Sequence, residues 1–311
     1  MSSLTYVAGH TGLIGSAVMD LLVRRGETPL TASRTELHLT DQQAVEEFFR
    51  AHRPERVYLL AGRVGGIKAN STKPVEFFSE NVLIATNVML SAALYGTRRL
   101  IFPASACMYP KQCPQPITPA ALWSGPPEES SLPFATAKLA GCMLAQSLRR
   151  QHELEFLTVV PATCYGPGDR FSDEGHVVGS MMARMHRAKE RSDAEFVIWG
   201  SGQPRREFIY STDVARAMLQ LMDAESLPSD EIIHIGSGEE VSMLELAQRM
   251  AEAVGYRGQI RCDASRPDGM PRRLLDSGPM RKLGWKPEVP LAQGLKLAYD
   301  WYCRHGLEAA P

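Results

Sequence analysis

A glycine-rich turn between a short apolar run and an amphipathic segment, right at the start of the chain, limits the possible folds more than any other feature. Leu4-Thr5-Tyr6-Val7-Ala8 has the nearly unbroken apolar character of a buried strand. Ser16 to Arg25 places Ala17, Leu21 and Leu22 on one helical face, and Gly9-His10-Thr11-Gly12-Leu13-Ile14-Gly15 joins the two. Glycines let the backbone turn sharply and approach a pyrophosphate closely. A helix beginning there offers free N–H groups and the positive end of its dipole. The spacing is G-x-x-G-x-x-G rather than G-x-G-x-x-G, and glycines alone also fit a flexible loop. With a strand before and a helix after, the turn reads as a dinucleotide site formed by Gly9, Thr11, Gly12, Leu13, Ile14 and Gly15.

The alternation continues. Val57 to Ala61, Leu100 to Phe102 and Phe156 to Val160 read as strands, with helices at Gln42 to His52, Val75 to Tyr95 and Ala135 to Gln151. This predicts an α/β fold with a doubly wound, Rossmann-type parallel sheet. After Gly166-Pro167-Gly168 the pattern loosens into a helix near Val178 to Arg191 and an apolar run at Phe196 to Trp199. A further sheet strand follows at Glu231 to Ile235, then a helix from Ser242 to Val254 that opens on a Ser-x-x-Glu capping-box spacing. A chain of 311 residues exceeds one usual domain. Residues 1–168, with a returning strand near 231–236, are expected to bind the dinucleotide. Residues 169–230 and 237–311 are expected to form a smaller, interleaved C-terminal lobe for substrate.

A net charge of −1 gives no field that favours nucleic acid or an anionic membrane. The six cysteines form no C-x-x-C pair and no regular spacing, which suits thiols of a reducing compartment better than disulfides or zinc. No uninterrupted apolar run reaches the roughly 18 residues of a membrane helix, and no export signal precedes the first strand. A cytoplasmic protein without a metal is the expectation. Thr28 to Ala32 reads as the second strand, followed by Ser33-Arg34. An acid there would hold both ribose hydroxyls of NAD, whereas Arg34 suits the 2′-phosphate of NADP(H). Glu36 is an alternative ribose contact, and a solvated surface charge is the other reading of Arg34.

Several separate stretches carry a family resemblance by their joint order. They are Val64-Gly65-Gly66-Ile67 with Ala69-Asn70, Ser105-Ala106-Cys107-Met108-Tyr109-Pro110, and Trp199-Gly200-Ser201-Gly202 leading into Arg205-Arg206-Glu207-Phe208. Asp263-Ala264-Ser265, Pro267-Asp268-Gly269 and Leu274-Leu275-Asp276 complete the set. Over nearly its whole length the chain resembles the GDP-L-fucose synthase family of extended short-chain dehydrogenase/reductases. The resemblance implies NADPH-dependent 3,5-epimerisation and 4-keto reduction of a GDP-4-keto-6-deoxyhexose.

In that family a Ser and a Tyr hydrogen-bond the substrate carbonyl, and a Lys four residues after the Tyr lowers its pKa. Ser105 and Lys138 match, but Phe134 stands at the Tyr position. Phenylalanine keeps the ring and loses the acidic O–H, which puts the reduction step in doubt whether the residue is natural or engineered. Cys107 and His176 fall on the epimerase pair, and a thiolate with an imidazolium near pH 7 suits proton removal and return beside a ketone. The resemblance also implies Ala61, Lys138, Pro161, Thr163 and His176 beside the cofactor, and Arg184, Trp199, Arg206 and Asp268 on the nucleotide of the substrate. The resemblance further implies a homodimer formed through helices Val75 to Tyr95 and Ala135 to Gln151, whose apolar residues could equally face their own sheet. Two departures bear on the sugar or base: Thr163 stands where the family usually has Asn, and Gly168-Asp169-Arg170 replaces a His-Asp-Asn run. Three readings stay open: an epimerase/reductase impaired by Phe134, an epimerase-only relative acting on another nucleotide-linked 4-keto sugar, and a non-catalytic NADP-binding protein.

Overall fold

The computed structural model describes residues 4–228, 231–266 and 268–306. Thr5–Ala8 pairs in parallel with Arg56–Leu59, and Arg99–Pro103, Glu155–Pro161 and Ile232–Ile235 follow in that order. Helices cover both faces, so the strands are buried almost end to end and read as continuous apolar runs. The second strand expected at Thr28 to Ala32 is reduced to one parallel bridge, Tyr6 to Leu30, on the free side of the first strand. Chain order therefore reverses beside Thr5–Ala8. In an open parallel sheet the crevice at such a reversal, beyond the carboxyl ends of the strands, is where a ligand binds.

Two helices begin three residues earlier than their apolar periodicity suggests, and both differences matter for the site. The first runs over Leu13–Arg24, directly after Gly12, which has no side chain to act as a cap. The other runs over Leu132–His152 with Pro133 in its first turn, where a missing N–H costs nothing. This places Phe134 and Lys138 on one helix, four residues apart and so on one face. Helix Pro74–Leu94 also begins with proline. It has 21 residues, and an 18-residue stretch of it with a mean hydropathy of 1.4 is long and apolar enough to cross a membrane, although half of that stretch is buried inside the protein. Asn81, Asn87 and Ser91 are buried along it, as befits a core helix packed on Leu132–His152 and Gln42–His52.

A second apolar core, with Tyr165, Met182, Met185, Phe196, Phe208, Leu246 and Leu295, lies outside the large sheet. Helices Val177–Glu190, Met243–Val254 and Leu291–Trp301 enclose it. The capping box forms as its spacing foretold: Ser242 accepts from the Glu245 N–H at 3.1 Å, and Glu245 accepts from the Ser242 N–H at 2.6 Å. Strand Arg205–Tyr210 runs beside Thr163–Tyr165 and Arg272–Arg273, and Glu195–Trp199 pairs with Gln259–Asp263. Helix Ser211–Asp223 falls within the stretch 169–230, yet Val214, Met218, Leu219 and Met222 join the large core against Leu13–Arg24. Leu275, Met280 and Trp285, within 237–311, join it too. Amphipathic spacing tells that a face is buried, not which neighbour buries it.

Candidate active site

The three glycines of the first turn do different jobs. Gly9 has φ +82° and lies so close to the next strand that a Cβ would come within 2.6 Å of Ala61 N. A Cβ on Gly15 would collide with the Gly9 carbonyl oxygen. Gly12 instead has an open side, with only the Gly9 oxygen at 3.4 Å from a Cβ placed there. The N–H groups of Leu13 and Ile14 begin the helix with no side-chain cap, so donors and dipole face the crevice beside exposed Thr11. His10 Nδ1 is buried there without a partner. These features fit a dinucleotide pyrophosphate. Ala61 lies two residues beyond strand Arg56–Leu59, Pro161 ends strand Glu155–Pro161, and Thr163 opens the short strand after it.

Arg34 is largely exposed and reaches His38 Nε2 at 3.3 Å and Glu80 at 3.6 Å. Arg63 also binds Glu80, at 2.8 Å. The Glu36 carboxylate accepts the Ser33 N–H at 2.8 Å, a bond that holds its pKa below the usual carboxylate value. Glu36 is thus tied into its own turn, while the exposed guanidinium of Arg34 rests against His38 and Glu80.

The chemistry-bearing residues gather where Arg99–Pro103 ends. Ser105 opens a short 3₁₀ turn over Ala106–Met108, and its Oγ accepts the Cys107 N–H at 3.2 Å. The Ser105 hydroxyl proton is left to donate, and the Cys107 sulfur is one acceptor within its reach. Cys107 packs on an apolar cluster of Ala69, Phe77 and Phe134. The Phe134 ring meets Phe77 edge-on at 6.2 Å. Lys138 Nζ donates to the Pro103 carbonyl at 2.9 Å and lies 5.9 Å from the Phe134 ring centre. Burial pushes the Lys138 ammonium down to about 8. For Cys107, burial alone would raise the pKa, but the Arg273 charge and bonds with Ser105, Arg273 and Ser131 hold it below the ordinary thiol value.

Tyr109, at the end of that 3₁₀ turn, is fully buried, with its hydroxyl bonded to His234 Nε2 at 2.6 Å. Burial also raises its pKa. Its O–H is committed to the sheet and does not replace the one missing from Phe134.

His176 precedes helix Val177–Glu190. Its loop is docked on the Val64-Gly65-Gly66 turn: Gly66 N–H donates to the Glu174 carbonyl at 3.0 Å, and a Cβ on Gly66 would lie 2.7 Å from the Gly175 oxygen. Asn70 holds that turn through the Gly65 and Gly66 carbonyls, while Gly65 abuts Ala69 and Phe77. The small residues of this motif thus bring the His176 loop onto the cluster that holds Cys107. Burial, and then the Arg170 charge, lower the His176 pKa below the ordinary imidazole value.

Within the same loop Asp169 is buried, with Oδ1 bonded to the Arg170 N–H and Oδ2 unpartnered. Burial pushes its carboxyl up to about 7. A raised pKa means that stability is intact below the unfolded value near 4 and declines as pH rises through 7. Asp169→Asn should change the unfolding free energy little at about pH 4 and raise it by up to roughly 4 kcal/mol above about pH 8. Denaturant titrations at the two pH values measure this, and an equal effect at both would contradict it.

The nucleotide residues split. Trp199 is 70% exposed beside Gly200, and Asp268 caps the adjoining turn through Ser201 N–H and Oγ at 2.8 and 2.6 Å. Arg184 turns inward, over the Phe196 ring at 4.9 Å and onto the Val197 carbonyl at 2.7 Å. Arg206 spans the two groups: its guanidinium approaches Gly269 and interacts with Cys107. Pro267 lies outside the described residues, as does the side chain of Ile67. Sequence reasoning missed Ser131, Glu128, Arg266 (5.5 Å over the Trp199 ring) and Arg273. Only the adjacent pair Arg272-Arg273 was a visible signal.

Residues 5–236 match the model of the NAD dependent epimerase/dehydratase family. The chain is 44% identical over 307 residues to a probable GDP-L-fucose synthase 1 of Oryza sativa subsp. japonica, covering 98% of this chain and 93% of the relative. Against the GDP-L-fucose synthase of Escherichia coli (strain K12) it is 39% identical over 306 residues, covering 96% and 95%. A crystal structure of a GDP-L-fucose synthetase from Naegleria fowleri bound to NADP superposes with a TM-score of 0.89 at 29% identity, covering 99% and 95%. A GDP-6-OMe-4-keto-L-xylo-heptose reductase from C. jejuni gives 0.91 at 30% identity, covering 97% and 98%.

Proposed function

This chain belongs to the NAD dependent epimerase/dehydratase family, among the GDP-L-fucose synthases, and we propose that it is an NADP(H)-dependent enzyme that epimerises a GDP-4-keto-6-deoxyhexose at C3 and C5 and reduces it slowly at C4. The observation that carries this reading is the cluster of Ser105, Cys107 and Lys138 at the rim of the crevice, with the His176 loop docked against it. A C–H beside the C4 ketone is acidified by the carbonyl. The Cys107 thiolate removes that proton, the Ser105 O–H donates to the C4 oxygen and stabilises the enolate, and His176 returns a proton to the opposite face. NADPH, when bound, supplies the hydride for C4. Lys138 then lies near the oxygen that becomes an alkoxide, but Phe134 has no proton to give it.

Leu13 and Ile14 N–H groups would hold the cofactor pyrophosphate, with Arg34 on the 2′-phosphate. Arg206 would take the diphosphate of the sugar nucleotide, Trp199 and Asp268 its base, and Arg184 would join the diphosphate only by leaving the Val197 carbonyl. The exposed apolar side chains Leu83, Leu90 and Leu94 on helix Pro74–Leu94 support a homodimer through this helix and Leu132–His152. Six free cysteines suit a reducing, cytoplasmic setting.

Incubation with a GDP-4-keto-6-deoxyhexose and excess NADPH, followed by proton NMR of the sugar, tests the whole reading. Epimerised 4-keto sugar forming ahead of reduced sugar is the expected result, and unchanged substrate would refute it. Phe134, with Tyr109 committed to His234, is the observation that favours epimerisation over reduction. For the cofactor, Arg34→Ala should weaken NADPH binding by about tenfold or more and leave NADH binding unaffected, the loss expected for one charge-assisted contact. Fluorescence titration decides it; equal affinity of the parent for both cofactors would refute the preference.

A further inference from the structure

The Cys107 thiol has a cationic neighbour that the reaction described above leaves unused. Arg273 Nη1 donates to Cys107 Sγ at 3.6 Å, and Arg273 Nε is buried without a partner. The short strand Arg272–Arg273 runs parallel to Arg205–Tyr210, with Arg273 opposite Arg206. Residues opposite one another in a ladder share a face, so the two guanidiniums lie together. Arg272, one residue back, turns the other way onto Glu240 at 2.7 Å. Both flanks fix the strand. Ile117 N–H donates to the Leu274 carbonyl at 2.7 Å, Leu274 N–H to Gln115 Oε1 at 2.9 Å, and Leu275 N–H to the buried Glu207 at 3.0 Å.

Two adjacent cations in a buried place repel. Arg206 shows it: burial, and then the like charge of Arg273, push its guanidinium down to about 10. An anion beside them relieves that repulsion, and the polypeptide provides two there, the Cys107 thiolate and the Glu128 carboxylate. We propose that Arg273 is the residue that keeps Cys107 ionised, a positioning role that rests on the reading of Cys107 as the epimerase base. The other charged groups about the thiol are Arg206 from the neighbouring strand, Glu128 from the segment leading to Ser131, and Lys138 beyond the Phe134 ring. Glu128 is itself paired with Lys111 at 3.2 Å. Arg273 alone among these is within hydrogen-bonding reach of the sulfur.

The test is the ultraviolet absorbance of the Cys107 thiolate against pH, taken on NADP-loaded protein as the difference between the parent and Cys107→Ser. Arg273→Met should move the midpoint up by at least about one pH unit, leaving about tenfold less thiolate on the acid side. Arg273→Gln, which keeps a hydrogen-bond donor and loses the charge, should give a similar rise, while Arg273→Lys should restore most of the parent value. Unchanged NADP binding would show that the variants are folded. An unmoved midpoint in Arg273→Met and Arg273→Gln overturns the proposal. So does weaker sugar-nucleotide binding without a shift, which would make Arg273 a phosphate ligand only. The two readings fail separately. Absent C3 and C5 proton exchange in the parent defeats Cys107 as base while leaving a shifted midpoint intact, whereas exchange with an unmoved midpoint defeats the role of Arg273 alone.

Discussion

Phe134→Tyr should raise the rate of NADPH oxidation with a GDP-4-keto-6-deoxyhexose by at least about a hundredfold, the low end for a restored general acid and equal to about 2.7 kcal/mol of barrier. Position 134 lies on the face of Leu132–His152 that also carries Lys138, and its ring borders Cys107 within the apolar cluster. A para hydroxyl adds a proton donor to that ring without moving it. Lys138, whose ammonium is 5.9 Å from the ring centre, would favour the phenolate that remains after the proton is given. Adding Lys138→Met to the Phe134→Tyr variant should therefore remove most of the gain. Tyr109 does not compensate in the parent, because it is buried and bonded to His234. Stopped-flow absorbance of NADPH measures the rate. No gain would mean that the alkoxide takes its proton from elsewhere, for example from solvent.

The second large effect separates proton transfer from hydride transfer. With NADP bound and no hydride available, the parent should exchange substrate hydrogens at C3 and C5 with deuterated water, since this step needs only a polarised ketone, a base and an acid. Cys107→Ser should slow exchange by about a thousandfold or more, because a hydroxyl is a far weaker base than a thiolate at neutral pH. His176→Asn should remove the complementary donor and slow it by about a hundredfold. The pH profile carries its own sign. In the proposed mechanism, exchange requires Cys107 ionised and His176 protonated. The Cys107 pKa is lowered by Arg273 and its hydrogen-bond partners against the effect of burial, and that of His176 by burial and Arg170. Both limbs of the bell should consequently lie at lower pH than for an ordinary thiol and imidazole. Proton NMR of the recovered sugar nucleotide reads the exchange. Uptake indifferent to both substitutions would remove the epimerase assignment.

Local chemistry was legible where one stretch of chain sets it. The first turn could be read because strand, glycines and helix are contiguous, and Gly9, Gly12 and Gly15 each prove to have a steric or donor task. The capping box at Ser242 and Glu245 was legible for the same reason. The second strand was misjudged in extent, since apolar residues near Leu30 say nothing about how many ladder bonds they form. Helix starts at Leu13 and Leu132 were placed late because periodicity senses buried faces, whereas a helix begins where backbone donors can be left free.

What the sequence determined by itself is the α/β alternation, the dinucleotide turn, and the residue types available for chemistry: a serine, a cysteine, a lysine, a histidine, and a phenylalanine in place of a hydroxyl. Only the tertiary structure decided their electrostatic state. Cys107 and Arg273 are 166 residues apart in the chain, yet 3.6 Å separates their side chains, and Tyr109 finds His234 across 125 residues. Such pairings depend on which strand lies beside which, and no local propensity encodes that. Burial does the rest: once the crevice removes water from Lys138, His176 and Asp169, each pKa moves by an amount that its neighbours in space, not in sequence, determine.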